Sequence, residues 1–389
     1  MSIAVSARAL FRSPVPVAAL FRSPARRVST ADTVTVTVAE AQSKTAAAMR
    51  KIGWDAEDAA LQAEIMTAAE LCGNNQGLVK MYNPSLMAPS PGAAKPTIER
   101  ETPTSAVVNA NQSPGMLAAV NAADLALQKL RSQDGPIAIV TAYNTSTSSG
   151  QLAFYCERMA RQGAIGIALA NSPEFVAAAP GGKPIFGTNP VAFGIPQAVG
   201  PPLTFDMATS AIALFGVLTS KAKGEPLPEG VAYGRDGGFT TDASEALIGG
   251  CQPRVSASLG RSPEFLQALE GGAIATFGGH KGAGLSLCVE LLAGVLSGGA
   301  VVGQCESKKL AKSWGHTMIA IQPDLLVDGF EAKAAAVLAA TKASGPSIRL
   351  PGESSARTAA ERTAADALPI PKQIWESICR TAEHGLPEQ

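Results

Sequence analysis

A long apolar stretch covers residues 285–297, and Glu290 is its only charged residue. Because apolar residues face nearly every side, this pattern predicts a helix buried inside a large core. At about 1.5 Å per residue the helix would extend only ~20 Å, too short to cross a bilayer. The sequence before it, Phe-Gly-Gly-His-Lys-Gly-Ala-Gly at 277–284, predicts a glycine turn at the helix start. Free N–H groups there favour an anion, although a turn that merely enters a core helix is the alternative.

The rest of the chain alternates between helical and extended patterns, which indicates an α/β fold. Apolar spacing predicts helices over residues 41–51, 56–71, 114–131, 154–162, 331–342, 359–367 and 372–383. Short apolar runs predict strands over residues 137–141, 165–170, 191–195, 203–205 and 317–321. Residues 83–103 contain five prolines and predict a loop or an extended arm.

Asp206 follows one of these predicted strands, and Met207, Ala208, Thr209 and Ser210 come directly after it. The hydroxyl groups predict a cap for a helix that starts near Ala211. A carboxylate beside a helix start is by itself no more than a cap. Together with the other anion-favouring turns, it indicates a ligand-binding wall.

Composition narrows the classes of function. The chain of 389 residues is 46% hydrophobic and 16% charged, and its formal net charge is zero. This balance predicts a globular protein of one large or two ordinary cores, with no overall attraction to nucleic acid or to anionic membranes. Six cysteines without a Cys-x-x-Cys pair favour free thiols, and three scattered histidines predict no metal site.

The first thirty residues contain five arginines and repeated serines, and no acidic residue precedes Asp32. This composition predicts a mitochondrial presequence over residues 1–30, cleaved near residues 26–29, and hence a matrix protein. A disordered basic tail is the alternative. No apolar run there is long enough for a secretory signal or a membrane anchor.

Four short motifs together resemble the malate/L-lactate dehydrogenase family of the second type, which also includes ureidoglycolate, 2,3-diketogulonate and cyclic-imine reductases. They are Gly187-Thr188-Asn189-Pro190, Asp206-Met207-Ala208-Thr209-Ser210, Gly278-Gly279-His280-Lys281-Gly282 and Arg349-Leu350-Pro351-Gly352-Glu353. The resemblance covers most of the chain from about Val34. It implies a dimeric NAD- or NADP-dependent reductase of 2-keto acids or related imines, whose nucleotide-binding domain is not a Rossmann fold.

The resemblance also assigns roles to individual residues. It implies cofactor contacts at residues 202–208, which include Asp206, Met207 and Ala208, and at the adjoining Thr209 and Ser210. Further cofactor contacts are implied at His280 and Lys281, and at Gly352, Glu353 and Ser354. Thr188 matches a threonine that contacts the substrate, and Ser148 matches a position near the nicotinamide. A helix start, a lysine and a glycine-opened backbone suit a pyrophosphate and two riboses.

The chain departs from the family where the chemistry takes place. The family's proton-donating histidine is Gln76 here, and its carboxylate-gripping arginine is Lys80. An amide supplies no titrating proton, and lysine lacks the planar two-point grip of arginine. A second family histidine aligns with Ser148, an Arg-Gly-Lys sequence is replaced by Leu214-Phe215-Gly216, and residues 251–272 resemble an insertion.

The resemblance implies four regions. They are the presequence (1–30), a helical substrate-side part (31–105), the nucleotide-binding domain (106–301) and a C-terminal part that returns to the substrate side (302–389). Three functions follow from the sequence. One is an oxidoreductase acting on a small substrate. The second is a catalytically silent homologue that binds dinucleotide or serves in a larger mitochondrial assembly. The third, a purely structural protein, is disfavoured by the nucleotide motifs.

Overall fold

The computed structural model describes residues 33–74, 76–132, 135–246, 272–302 and 314–386. The predicted presequence lies outside these ranges, as do Asn75 and residues 251–271 of the predicted insertion.

The first two helices form where apolar residues recur at helical spacing and a polar side chain caps the first turn. Thr37 accepts a hydrogen bond from the backbone N–H of Glu40 at 3.0 Å, and Asp55 accepts one from Asp58 at 2.8 Å. These two caps begin the first two helices. In chain order the α-helices are α1 (Val38–Lys51), α2 (Ala56–Leu71), α3 (Gly115–Ser132), α4 (Ala153–Ala160), α5 (Leu214–Lys223), α6 (Ala243–Ala246), α7 (His280–Val289), α8 (Phe330–Ala343), α9 (Glu353–Ala364) and α10 (Lys372–His384). A π-helical segment, Glu290–Val295, continues α7, and 3₁₀ turns occupy Leu78–Tyr82, Pro84–Met87 and Pro323–Leu325.

The strands build a large central sheet and two smaller ones. They are β1 (Thr33–Val36), β2 (Thr97–Glu101), β3 (Ser105–Asn109), β4 (Ile137–Thr145), β5 (Ile165–Ala170), β6 (Val176–Ala177), β7 (Pro184–Phe186), β8 (Val191–Ile195), β9 (Leu203–Met207), β10 (Ala232–Tyr233), β11 (Ala273–Ala275), β12 (Trp314–Ile321) and β13 (Leu368–Pro371). The central sheet has the order β2-β3-β4-β12-β5-β8-β9. Only its β3–β4 pair is parallel. This arrangement confirms the expected α/β fold and differs from the mostly parallel sheet of a Rossmann domain.

The central sheet is covered on both faces, because successive side chains of a strand point to opposite sides. On one face Val140 and Met318 are buried in the main apolar core, to which α3 and α4 also contribute. On the other face Leu169 and Val191 pack against Ala293 of the π-helical segment. The sheet therefore separates the N-terminal helices from α7.

The smaller sheets organise the rest of the described chain. One has the order β10-β11-β6-β7 and packs with α5 and α6 around a second apolar cluster that includes Val176, Val217 and Ile274. The other pairs β1 with β13 in antiparallel register, from Thr33 opposite Pro371 to Val36 opposite Leu368. In addition, α10 packs against α1, so the two ends of the described chain meet.

Residues 83–103, predicted to be a loop or an extended arm, contain the strand β2, all of whose residues are exposed, so no buried alternation marked it in the sequence. Two expectations about the elements were wrong. The helix expected near Ala211 begins at Leu214, and its N-cap, Ala213, provides no side-chain bond. The apolar helix is buried on one side only, since its outward side chains are 44–56% exposed; these are Leu287, Leu291, Leu292, Val295 and Leu296.

Across the described ranges, no helix is both long enough and apolar enough to span a membrane.

Candidate functional site

The turn that carries Gln76 packs tightly against α2 and against the loop after β4. A Cβ added to Gly77 would lie 2.2 Å from the carbonyl oxygen of Met66, so the chain passes this point only as glycine. A Cβ on Gly150 would lie 3.3 Å from the carbonyl oxygen of Gln76 and 3.8 Å from Cε of Lys80. The fold therefore brings the Gln76–Lys80 turn next to the loop that contains Ser148.

Lys80 is buried in this turn, whereas Gln76 and Ser148 are half-buried. Burial lowers the pKa of Lys80 to about 8, because the charged ammonium loses its hydration. The backbone N–H of Gln76 donates to Oδ1 of Asn74 at 2.9 Å, which shapes the turn locally. The turn at which the resemblance implies a proton donor is thus well defined in the structure, and position 76 in it carries an amide.

Asp206 reaches this loop from the end of β9. Its Oδ2 accepts a hydrogen bond from the backbone N–H of Ala153 at 2.9 Å, at the first turn of α4. Burial raises the pKa of the Asp206 carboxyl to about 6, and the N–H groups of Ala153 and Leu152 oppose that rise. Asp206 therefore caps a helix, as its position in the sequence suggested. The helix that it caps is α4, which precedes it in the chain.

The hydroxyl groups after Asp206 do not cap α5, contrary to expectation. Thr209 instead donates to the carbonyl oxygen of Thr188, from its N–H at 2.9 Å and from Oγ1 at 3.2 Å. Oγ of Ser210 donates to the carbonyl oxygen of Ile212 at 2.8 Å. The backbone of Thr188 is also held by Oγ of Ser172, which accepts its N–H at 3.1 Å. The Thr188 turn and the Asp206–Ser210 segment thus form one hydrogen-bonded unit.

The start of α7 joins the same unit. The N–H of Phe277 donates to the carbonyl oxygen of Thr209 at 3.0 Å, and Oγ1 of Thr276 donates to the carbonyl oxygen of Gly279 at 2.9 Å. Gly278 and Gly279 have φ of 57° and 63°, which residues with a Cβ rarely adopt, and an added Cβ would meet no atom within 4 Å at either position. An open glycine backbone therefore leads into α7, whose first residues, His280 and Lys281, are exposed.

The third predicted cofactor segment adjoins β9 from the C-terminal part of the chain. Gly352 has φ of 76°, and a Cβ there would lie 2.5 Å from Oγ1 of Thr204, on the strand that ends beside Asp206. The neighbouring Glu353 pairs with Lys342 and accepts the N–H of Leu350 at 3.1 Å. The Lys342 hydrogen bond in particular lowers the pKa of Glu353. Ser354 is exposed.

The predicted site residues therefore form two groups that meet at the Asp206–Ser210 segment. Gln76, Lys80 and Ser148 lie on the α4 side of this segment. Thr188, His280 and Lys281 lie on its α7 side, and Gly352–Ser354 adjoin β9 beside it. Sequence reasoning missed Ser172, whose hydroxyl group holds the Thr188 turn, and no local signal marked it.

His316 lies outside these groups, in β12 opposite Ala142 and Ala170. Burial lowers the pKa of its imidazole to about 4. Neither ring nitrogen of His316 has a hydrogen-bond partner among the described residues. In the part of the chain that the structure describes, histidine, cysteine and acidic side chains do not gather into a group of three that could hold a metal ion.

Comparison with known proteins supplies the family. The model of the malate/L-lactate dehydrogenase family matches residues 36–379. The L-sulfolactate dehydrogenase of Methanothermobacter thermautotrophicus is 34% identical over 288 residues, which are 72% of this chain and 76% of that protein. The Delta(1)-pyrroline-2-carboxylate/Delta(1)-piperideine-2-carboxylate reductase of Pseudomonas aeruginosa is 35% identical over 264 residues, 66% of this chain and 71% of that protein.

Solved structures agree with the sequence comparison. The crystal structure of delta1-piperideine-2-carboxylate reductase from Pseudomonas syringae pvar. tomato superposes with a TM-score of 0.75 and 29% identity. It covers 90% of this chain and 100% of that one. The family match therefore extends over nearly all of the described chain, and the resemblance inferred from four short motifs is confirmed: this protein belongs to the malate/L-lactate dehydrogenase family.

Proposed function

We propose that this protein binds a nicotinamide dinucleotide, NAD or NADP, and acts as an oxidoreductase on a small 2-hydroxy acid, 2-keto acid or related imine. The main support is the hydrogen-bonded unit that joins the Thr188 turn, Asp206–Ser210 and the start of α7. These are the segments at which the family resemblance implies substrate and cofactor contacts. The similar proteins are named for action on sulfolactate and on cyclic-imine carboxylates, all small carboxylates.

The described residues fit a dinucleotide. Gly278 and Gly279 leave space around the backbone, and the exposed Lys281 provides a cation at the first turn of α7, where free N–H groups attract a phosphate. The dinucleotide would supply or accept the hydride. The dinucleotide would be held between α7 and β9. Lys80 would place a cation near the carboxylate of the substrate.

One observation favours the second function, a catalytically silent homologue. Reduction of a carbonyl requires a proton, and Gln76 cannot supply one near neutral pH. Loss of a general acid typically lowers the rate by a factor of about 10² to 10⁴. We therefore expect a protein that retains dinucleotide binding and turns over slowly or not at all. In the silent form it would act as a dinucleotide-binding subunit, alone or in a larger mitochondrial assembly.

Restoring the family residues separates the two functions. The unmodified protein should reduce pyruvate or oxaloacetate slowly at best, and Gln76→His with Lys80→Arg should raise the rate by a factor of ~10² or more. The matched control, Gln76→Asn with Lys80→Arg, leaves position 76 without a titrating group and should show no such gain. No gain in the first variant would indicate that the departures from the family at Ser148 and at Leu214-Phe215 also impair catalysis. Rapid turnover by the unmodified protein would contradict the assignment of Gln76.

We further propose that the protein is a homodimer. The outward face of α7 and the π-helical segment presents five apolar side chains that are about half exposed: Leu287, Leu291, Leu292, Val295 and Leu296. A contiguous apolar surface of this kind is typical of a protein–protein interface. A second copy would cover it and exclude water from the helix that begins with His280 and Lys281.

A further inference from the structure

Glu290 carries a buried carboxylate at the junction of α7 and the π-helical segment. Glu290 is only 3% exposed, and its carboxylate accepts three hydrogen bonds. Nδ2 of Asn189 donates to Oε2 at 2.8 Å. Nδ2 of Asn171 donates to Oε1 at 3.2 Å, and the backbone N–H of Val302 donates to the same oxygen at 3.4 Å. One carboxylate thus joins a helix to three separate loops.

Two of the three donor residues have an unusual backbone. Asn189 has φ of 37° and Val302 has φ of 39°, in the left-handed region, which asparagine adopts more readily than other residues with a side chain. The conformation is especially unfavourable for a β-branched residue such as valine. Such backbone persists only where the surroundings hold it, and it concentrates at functional sites. Glu290 helps to stabilise both positions, since it accepts the side-chain N–H of Asn189 and the backbone N–H of Val302.

Hydrogen bonds also connect Glu290 to the other end of α7. Asn189 follows Thr188, whose carbonyl oxygen accepts both bonds from Thr209. The carbonyl oxygen of Thr209 accepts the N–H of Phe277, just before α7 begins. Asn189 itself donates a second bond to the carbonyl oxygen of Ser286, within α7, at 3.2 Å. Hydrogen bonds therefore connect both ends of α7 to the Thr188–Asn189 turn, and Glu290 completes this network.

We propose that Glu290 is a positioning residue that fixes the Thr188 turn relative to the His280–Lys281 end of α7. It is too deeply buried to touch a ligand, and it acts through Asn189. The inference rests on the proposed function, because it assumes that the Thr188 turn and the start of α7 surround the same ligand.

A buried charge of purely structural value is present elsewhere and provides a matched control. Lys129, 5% exposed, pairs with Glu101 at 2.9 Å and donates to the carbonyl oxygen of Thr102 at 2.7 Å. These contacts attach the β2–β3 connection to α3 and involve none of the predicted site residues. Replacing Lys129 should therefore lower stability without changing the candidate site.

Hydrogen exchange tests the positioning role without requiring a ligand. In Glu290→Gln one carboxylate oxygen is replaced by an NH₂ group, which cannot accept a hydrogen bond. At least one of Asn171 and Asn189 therefore loses position 290 as an acceptor and keeps only its bond to the carbonyl oxygen of Ala300 or Ser286. Exchange should then rise about tenfold or more in peptides covering residues 206–211 and 276–279. Lys129→Gln should leave these peptides unchanged at a similar loss of global stability. If Glu290→Gln does not fold, Glu290→Asp keeps the charge, shortens the reach and should raise exchange in the same peptides.

Dinucleotide affinity provides the second readout. Titration with NADH and NADPH should show binding to Glu290→Gln about tenfold or more weaker than to the unmodified protein, and unchanged binding to Lys129→Gln. Unchanged exchange in both peptides would overturn the positioning role, and so would faster exchange with unchanged affinity. If the unmodified protein binds neither dinucleotide, the proposed function fails, and the exchange result alone decides whether Glu290 positions the turn.

Discussion

Glu70, in the last turn of α2, shows how burial around the Gln76 turn changes the chemistry of single residues. Burial raises the pKa of its carboxyl to about 7, although the charge of Arg362 and the N–H of Leu78 oppose the rise. Nη1 of Arg362 also donates to the carbonyl oxygen of Glu70. The end of α2 that leads into the Gln76 turn is therefore connected to α9, the helix that begins beside Gly352.

The raised pKa of Glu70 predicts a pH dependence of stability. The folded protein holds the proton at a pH where the unfolded chain has lost it, so this contribution is complete below the unfolded pKa of about 4.5 and is lost as pH rises through about 7. Glu70→Gln should remove this dependence and raise stability at pH 8, as measured by urea denaturation between pH 5 and pH 8. Glu64→Gln, at an exposed glutamate of the same helix, is the control. An unchanged pH profile in Glu70→Gln would show that Glu70 is ionised in the folded protein throughout.

At the scale of single residues, the sequence identified the positions of motifs better than the side chains with which they form hydrogen bonds. Lys281 and Asp206 were selected as candidates because their motifs are short and contiguous, and their roles stay predictions. Glu290 stood out as the only charge in an apolar run, but its acceptor role depends on Asn171, which lies 119 residues away in the chain. The raised pKa of Glu70 likewise depends on burial, which only the folded chain produces.

At the scale of elements, two glycines that precede helices have a similar positive φ and differ in their surroundings. Gly352 before α9 has φ of 76°, and Gly329 before α8 has φ of 68°. A Cβ at 352 would lie 2.5 Å from Oγ1 of Thr204, whereas a Cβ at 329 would meet no atom within 4 Å. Only the first glycine therefore permits a close approach to the candidate site.

Alanine at these two positions separates backbone strain from close approach. Gly329→Ala should cost about 1–2 kcal/mol of unfolding free energy through the left-handed backbone alone. Gly352→Ala should cost a further ~1–3 kcal/mol through the overlap with Thr204, and it should also weaken dinucleotide binding. Denaturation and titration of both variants measure the two effects. Equal losses of stability, with equal affinity, would show that Gly352 is needed only for its φ.

Element prediction failed where burial depends on something other than the local sequence. The apolar helix at residues 285–297 was predicted correctly as a helix, but not its exposure, since periodicity records which residues are apolar and not what covers them. The strand β2 is exposed throughout and gave no alternation to detect. The Thr209 and Ser210 hydroxyl groups looked like caps because caps use the same residue types, but they bond elsewhere.

At the scale of the whole molecule, the sequence predicted the α/β class but not the sheet. The order β2-β3-β4-β12-β5-β8-β9 places a late strand, β12, between two early ones. Such a pairing depends on contacts between distant parts of the chain, on which short apolar runs carry no information. The domain boundaries drawn from the sequence remain a prediction.

The homodimer predicted for the whole molecule can be tested on its proposed face. Leu291→Glu would bury a charge without a partner if a second copy covers this face, and should weaken dimerisation at least ~10²-fold. Val199→Glu, at an apolar residue that is 87% exposed on a loop, should leave the oligomeric state unchanged. Sedimentation velocity measures both. A protein that is monomeric without any substitution would contradict the proposal.

The central claim is that the start of α7 binds a nicotinamide dinucleotide, and calorimetric titration with NADH and NADPH tests it most directly. The unmodified protein should bind at least one of them. Lys281→Ala should weaken that binding about tenfold or more, because it removes a charge-assisted bond worth about 1.5–3 kcal/mol. Lys51→Ala, at an exposed lysine that ends α1, should bind as the unmodified protein does. Absence of binding of either dinucleotide to the unmodified protein would contradict the account and leave a structural role in its place.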